Sequence, residues 1–598
     1  METTTDTVIR GGQFIVKTPT PSSIFTIEDL TEEQRMMRES TKEFAERELW
    51  ANWERFEKKD YEFTKVCMQK AGELGLLSIA VPESYGGMGM GFVSTMLVCD
   101  YISGVSGSFS TAFGAHTGIG TMPITLYGNE EQKQKYVPKL ASGEWFGAYC
   151  LTEPGAGSDA NSGKTKAVLA DDGSHYLITG QKMWISNAGF ANLFIVFARI
   201  EDDKNITGFI VENDPSNGIS YGEEEHKLGI HSSSTRQVFF NETKVPVENM
   251  LSERGNGFKI AMNALNVGRI KLAAACIDGE RRVIREAVKY AKERVQFGTP
   301  IADFGAIKEK LAVMATNCYA DESATYRAAK DIENSIANRL TKGSSHQEAE
   351  LKGVEEFAIE CSILKVIVSE HMQSCSDEGI QIFGGMGFSA DAPMESAWRD
   401  ARISRIYEGT NEINRMLIVG TLLKRSMKKE INLLEKAMVV INSNKFESVS
   451  YDENNHFASA YNLIANLKNC LLYILGKSAM HFGNNIKTEQ EVMMNIADMI
   501  ISVYVMESTL KRCEKVYKNS NNKVLLDISK SSIYYNLLSF KNSSIESIIS
   551  FMDDNECKKV EKLIETCTNF KHFNIKNINR RIADYFIEKK SYNIFNNF

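Results

Sequence analysis

The sequence holds 11 cysteines but no C-x-x-C pair, which excludes a zinc ribbon and a dithiol redox motif and points to reduced thiols inside a cell. Its 9 histidines form no H-E-x-x-H and no Cys/His ligand cluster, so no metal centre is expected. A basic excess is missing: 69 Lys and Arg stand against 77 Asp and Glu, a net charge of -8. That argues against nucleic acid as the main partner. No charge-free apolar run approaches the ~20 residues that cross a bilayer. The first 23 residues carry only Arg10 and Lys17 as basic groups, which fits neither a signal peptide nor an Arg-rich transit peptide. What remains is 598 residues, 43% hydrophobic and 24% charged, the composition of a globular chain of several domains.

The texture of the chain changes four times. Residues 1–27 read as an extended arm. From Thr31, an N-cap with acids in the next turn, helical periodicity runs over 28–146, with breaks at Val81–Gly89 and Gly114–Pro123. Over 147–254 come short β-type runs: Phe146–Thr152, Tyr176–Thr179, Lys182–Ile185, Leu193–Ala198, Gly208–Val211 and Arg236–Phe240. Asp-Gly, Asn-Ala-Gly and Asn-Asp-Pro turns separate them, which predicts a small barrel or sandwich. Helical spacing returns over 255–428, interrupted by a polar loop at Asn338–Gln347, and continues over 429–598 as a further all-helical segment. The fold class is α+β, mostly α. Two nucleotide-binding look-alikes fail. Gly155–Ala160 matches G-x-G-x-x-A but precedes a polar run, and Gly163-Lys-Thr165 has Ser158 where a P-loop needs its first glycine.

The most telling stretch is Arg402–Arg415. A helix is expected to end near Ile406 and another to restart at Thr410 or Asn411, where Ile413, Met416 and Leu417 share a face. Glu408 then sits at the break, and Gly409 lets its backbone approach something bulky. Upstream, Gln381–Phe388 repeats that glycine-relieved texture. Taken alone, the combination reads either as a helix N-terminal charge next to a turn glycine or as a carboxylate base facing a large ligand.

Five segments in order resemble the acyl-CoA dehydrogenase flavoprotein family across roughly residues 28–425. They are Tyr149–Asp159, Lys182–Asn187, Arg294–Gly298, Gln381–Gly385 and Ile406–Thr410. The helical segment past 429 resembles the extension of the very-long-chain branch. The resemblance implies FAD as cofactor and Glu408 as the catalytic base. Tyr149, Leu151, Thr152, Gly157, Ser158, Trp184, Ile185 and Ser186 would hold the flavin ring. Arg294, Gln296, Phe297, Gln381, Gly384 and Gly385 would reach the diphosphate and adenosine of a neighbouring subunit, and Thr410, Asn411 and Glu412 would touch FAD across the helix break. Ser158, Asn266, Arg269 and Gly409 would contact substrate. A minority of the family carries its base one residue before the substrate-side arginine; here that position is Gly268, so Glu408 has no rival there.

The implied reaction is α,β-dehydrogenation of a fatty acyl-CoA, long-chain by the extension, to the trans-2-enoyl-CoA, with electrons passed to an electron-transfer flavoprotein. A free glutamate has a pKa of about 4.3, so burial under the acyl chain is needed to strengthen the base. The resemblance further implies a homodimer, and the lack of a targeting signal is read as a cytoplasmic, bacterial-type protein. The extension suggests peripheral membrane contact, with the basic tail at Lys571, Arg580, Arg581, Tyr585, Lys589 and Lys590 read either as a solvated helix face or as a site for anionic lipid. Two alternatives share the motifs. One is an acyl-CoA oxidase using oxygen; the other is a non-catalytic assembly subunit, whose mark would be loss of the base or of flavin contacts.

Overall fold

The computed structural model describes residues 9–17, 24–443, 446–590 and 592. Eight principal helices and one sheet position the site. Helix α1 is Phe92–Ser103. The bundle is built from α2 (Gly257–Glu293), α3 (Gly305–Thr341), α4 (Ala358–Phe383), α5 (Pro393–Ile403) and α6 (Asn411–Met427). In the C-terminal segment α7 (His456–Phe482) and α8 (Gln490–Ser520) lead three further helices, Val524–Ile549, Asp554–Thr568 and Ile575–Lys589.

The strands β1 (Gly147–Cys150), β2 (Lys166–Leu169), β3 (His175–Ser186), β4 (Leu193–Ile200), β5 (Thr207–Glu212), β6 (Ile219–Tyr221), β7 (Thr235–Pro246) and β8 (Met250–Leu251) form one sheet. Its order is β6-β7-β3-β2-β4-β5-β8, with β1 parallel to β4. The sheet curls over its own inner face, where Ile178, Phe194, Val196, Val238 and Phe240 share one cluster. Alternation along β4 sends Leu193, Ile195 and Phe197 the other way, onto Tyr136, Val137 and Leu140 of the N-terminal helices.

Several expectations are corrected. Tyr176–Thr179 and Lys182–Ile185 are one strand, not two: Gly180 is a close-approach glycine, where a Cβ would lie 2.5 Å from Thr165 Oγ1. The break expected at Gly114–Pro123 is a π-helical turn, Ala115–Gly120, inside continuous helix. The loop expected at Asn338–Gln347 shrinks to four residues between Thr341 and His346. The arm expected over 1–27 is, where described, tied down. Gln13–Ile15 makes a 3₁₀ turn, Phe14 packs on Tyr504 with ring centroids 4.8 Å apart, and the Gly12 amide donates to Glu360 at 2.7 Å. Residues 1–8 and 18–23 of that arm lie outside the described residues.

The C-terminal segment shares one hydrophobic core with the bundle. Its central helix, α8, is buried over most of Val492–Val516 and docks through charges as well as apolar side chains. Arg512 pairs with Glu322 of α3 at 2.6 Å, Glu322 with Arg281 of α2 at 2.5 Å, and Arg281 with Asp100 of α1 at 2.8 Å. Beside this chain, buried Glu507 meets Lys468 at 2.7 Å and Lys511 at 3.3 Å. Helix α2 is long and apolar enough to cross a membrane by composition, but most of that stretch is buried inside the protein. It is the core helix against which the site is built.

Candidate active site

Helix α5 ends at Ile403, and α6 begins after Thr410, whose side chain accepts the Ile413 amide at 3.3 Å. The break between them places Glu408 at φ 60° and Gly409 at φ 82°. A left-handed glutamate costs roughly 1–2 kcal/mol, so something must hold it. Asn414, one turn into α6, donates to the carbonyls of Gly409 at 2.8 Å and Thr410 at 3.0 Å, and Arg269 donates to the Glu408 carbonyl at 3.2 Å. Arg269 is itself oriented by Asn266 at 2.7 Å.

The carboxylate lies flat on α2 at Gly268. A Cβ there would fall 2.5 Å from Oε2 and 2.9 Å from Oε1. Oε2 is enclosed and makes no hydrogen bond, so one face of the base is free for a proton. Burial pushes the Glu408 pKa up to about 7, although Arg269, Lys365 and Lys271 oppose the rise. None of the three cations donates to the carboxylate. Arg269 holds the backbone, Lys365 donates to Asn411 Oδ1 at 2.7 Å, and Lys271 donates to Thr117 Oγ1 at 2.7 Å. Desolvation lowers the pKa of Lys365 to about 7 and that of Lys271 below its usual range.

Glu408 opens into a cavity of about 200 Å³. On α2 its lining residues are 268, 271, 272, 275, 276, 279, 282, 283 and 286, one helical face held for five turns. The facing walls come from the Ser103–Ile119 region, from Met372 of α4 and from α5. Between Lys271 and Arg282 this face is Leu272, Ala275, Cys276 and Gly279, small and apolar. Ser186 is also among its lining residues.

The other expected residues separate into three groups. Trp184 sits where the β3–β7 register slips between Lys182 and Ile185. That bulge puts it at φ 60° and turns the indole out, 52% exposed. Gly157 and Ser158 are exposed on the loop before it, and Thr152 accepts the Met183 amide at 2.9 Å. A second group clusters at one end of the bundle. Arg294 and Gln296 are exposed on a hairpin of β9 (Val295–Gln296) and β10 (Thr299–Pro300), whose turn carries Phe297 at 96% exposure. Tyr290 of α2 stacks on Phe383 of α4 at 4.2 Å, which holds that hairpin near exposed Gln381, Gly384 and Gly385. A Cβ at Gly384 or Gly385 would meet nothing within 4 Å.

A third group is buried. The side chains of Leu151 and Ile185 lie in the two β-domain clusters, which leaves their backbone on offer, and Tyr149 is buried with a hydroxyl that makes no hydrogen bond. Asn411 is 2% exposed, its amide engaged by Lys365, Ser369 and Glu370. It anchors α6, whereas Glu412 beside it is exposed. Asn266 and Arg269 do not line the cavity; they hold the base. Sequence reasoning missed Asn414, Lys271, Lys365 and Thr117. The available signal was two lysines set into otherwise apolar helices.

Comparison with known proteins agrees with this geometry. Family models described as acyl-CoA dehydrogenase N-terminal, middle and C-terminal domains match residues 31–144, 148–243 and 255–423. A further acyl-CoA dehydrogenase C-terminal domain matches 466–561. A Bacillus subtilis (strain 168) protein named "Probable acyl-CoA dehydrogenase" is 42% identical over 508 residues, 85% of each chain. The human mitochondrial very long-chain specific acyl-CoA dehydrogenase is 41% identical over 58% of this chain and 51% of its own. The crystal structure of a Bacillus anthracis acyl-CoA dehydrogenase complexed with FAD superposes with a TM-score of 0.93 at 38% identity, covering 98% of this chain and all of that one. The chain belongs to the acyl-CoA dehydrogenase family.

Proposed function

We propose that this chain is an FAD-dependent acyl-CoA dehydrogenase that acts on long-chain fatty acyl-CoA and forms the trans-2-enoyl thioester. The observation that carries the reading is Glu408: a carboxylate lining an apolar cavity, on backbone held by Arg269 and Asn414, with its enclosed oxygen left unbonded. With a pKa of about 7 it is a far stronger base than an exposed glutamate and is still about half ionised at neutral pH. An acyl chain filling the cavity displaces water from the carboxylate and strengthens it further. The Glu408 N–H, presented by the helix break, suits the thioester carbonyl as an enolate-stabilising donor.

The residues present fit FAD. Trp184 offers an exposed aromatic face just before cavity-lining Ser186 in β3, and Gly384 and Gly385 offer open backbone next to Arg294 and Gln296. When bound, FAD accepts the hydride equivalent that leaves the β-carbon. The chain's own part is to place the α-proton on Glu408 and keep water away.

Long chains are favoured by the length of the cavity wall. From Gly268 to Arg282 the lining face runs about four turns, on the order of 21 Å. An extended alkyl chain rises ~1.25 Å per carbon, from C–C bonds of roughly 1.5 Å, so the wall is as long as a chain of about 16 carbons. An electron-transfer flavoprotein is the acceptor in this reading. A homodimer is supported by the exposed Phe297, Phe388, Val295 and Met386, which share the end of the bundle that carries the FAD-reaching segments. Membrane contact is less favoured than the basic tail suggests, since Lys571 pairs with Glu453 and Arg581 with Asp527.

The test is a titration of purified yellow protein with palmitoyl-CoA. The reading expects the flavin to bleach anaerobically, with negligible oxygen uptake in air. Rapid stoichiometric oxygen consumption would make the protein an oxidase, and no bleaching would contradict the enzyme assignment.

A further inference from the structure

The cavity-lining face of α2 changes character at its far end. After Leu272, Ala275, Cys276 and Gly279 it meets Arg282, whose side chain is only 9% exposed, and then Val283 and Glu286 in the last turn of the lining. Arg282 does not point into the apolar space as a loose charge. Its Nε donates to Asp278 at 2.6 Å, one turn back on α2, and its Nη1 meets Glu46 at 3.0 Å. The guanidinium lies 5.7 Å from the ring centroid of Trp50. Trp50 and Trp53 both line the cavity. Trp50 belongs to irregular backbone, a π-turn over Ala45–Leu49 followed by a 3₁₀ turn over Trp50–Asn52, and Trp53 opens the short helix after it. Glu46 on that turn is 44% exposed. The far end of the cavity is therefore bounded by a small set of groups: the ion-paired Arg282, Trp50, the surface Glu46 and, one turn beyond Arg282, Glu286.

We propose that Arg282 is a specificity-determining residue, which closes the distal end of the acyl cavity and sets the longest chain the enzyme accommodates. A methyl terminus that reaches the guanidinium must either stop there or displace it from Asp278 and Glu46. Both are costly for a charge removed from water. Because Glu46 is on the surface and its helix is irregular, the closure is a door whose outer half can be unlatched without disturbing the catalytic end. The inference rests on the long-chain reading given above and adds the residue that ends the chain.

The experiment compares kcat/KM for octanoyl-, lauroyl-, palmitoyl- and arachidoyl-CoA in the holoenzyme, in Arg282→Ala and in Glu46→Gln. Each further buried methylene is worth roughly fourfold in affinity. The wild type should rise to palmitoyl-CoA and fall for arachidoyl-CoA. In Arg282→Ala the arachidoyl-to-palmitoyl ratio should rise at least tenfold, with octanoyl-CoA unchanged. Glu46→Gln, which leaves the buried side chains in place, should raise the same ratio by a few fold. If the wild type peaks at palmitoyl-CoA and neither variant changes the ratio, Arg282 does not end the cavity and the long-chain reading stands. If the wild type peaks at octanoyl-CoA or shorter, that reading and this inference fall together.

Discussion

Replacing Gly268 with Ala should disable catalysis while leaving the fold intact. The new Cβ would fall 2.5 Å from Glu408 Oε2, 2.7 Å from its Cδ and 2.9 Å from Oε1, against an ordinary carbon contact of about 3.5 Å. The carboxylate must therefore retreat by about 1 Å. It cannot retreat with its backbone, because Arg269 and Asn414 hold the peptide on either side of Gly409. It must swing outwards into the cavity, away from its enclosed position. A misplacement of ~1 Å costs on the order of 10²-fold in rate. Stability should not follow activity, since alanine favours helix interiors over glycine by roughly 1 kcal/mol and the displaced group is the free end of a side chain. The assay pairs steady-state kcat on palmitoyl-CoA with flavin content and thermal unfolding. A variant that keeps kcat within threefold of wild type would refute the placement of the base against α2. A variant that has lost FAD or several degrees of Tm would refute the claim that Gly268 acts through the carboxylate alone.

Lys271→Met removes the cavity-lining cation among Arg269, Lys365 and Lys271, the three that oppose the rise in the Glu408 pKa. The ionised base is the active form, so the acid limb of kcat/KM should move to higher pH, with Lys271→Arg restoring it; an unmoved limb would contradict the electrostatic role. Because the folded pKa of Glu408 lies above its unfolded value, the protonated form contributes stability below about pH 4.5 that is lost as pH rises through 7. Glu408→Gln should therefore raise Tm at pH 8 but not at pH 4, read by calorimetry. Glu507→Gln leaves Lys468 and Lys511 without their buried counter-charge and should cost about 3–5 kcal/mol in denaturant unfolding. A loss under 1 kcal/mol would mean that the α8 network is not what seats the C-terminal segment.

What could be read from the sequence was what local chemistry sets. Gly409 marks the helix break because only a left-handed backbone turns the chain there, and Thr410 begins α6 because its hydroxyl can take the Ile413 amide. The strands announced themselves through alternation, although Gly180 reads as a break when its role is to let β3 pass Thr165. The long-range partnerships were not legible. Lys271 and Lys365 look like stray charges on apolar helices until Thr117 and Asn411 arrive from elements 154 and 46 residues away. Arg269 reads as a substrate contact and proves to hold the carbonyl of Glu408. The pattern over 429–598 reads only as helical, yet Arg512 and Glu507 are fully buried by α3 and α7, a pairing no single segment encodes.

The central claim is that Glu408 takes the α-proton. Stopped-flow mixing of FAD-loaded Glu408→Gln with palmitoyl-CoA under anaerobic conditions tests it most directly, because the amide keeps the shape of the side chain and removes the proton acceptor. The account predicts that palmitoyl-CoA still binds and perturbs the flavin spectrum, while bleaching slows by at least the ~10²–10⁴ typical of losing a general base. Bleaching at the wild-type rate would contradict it.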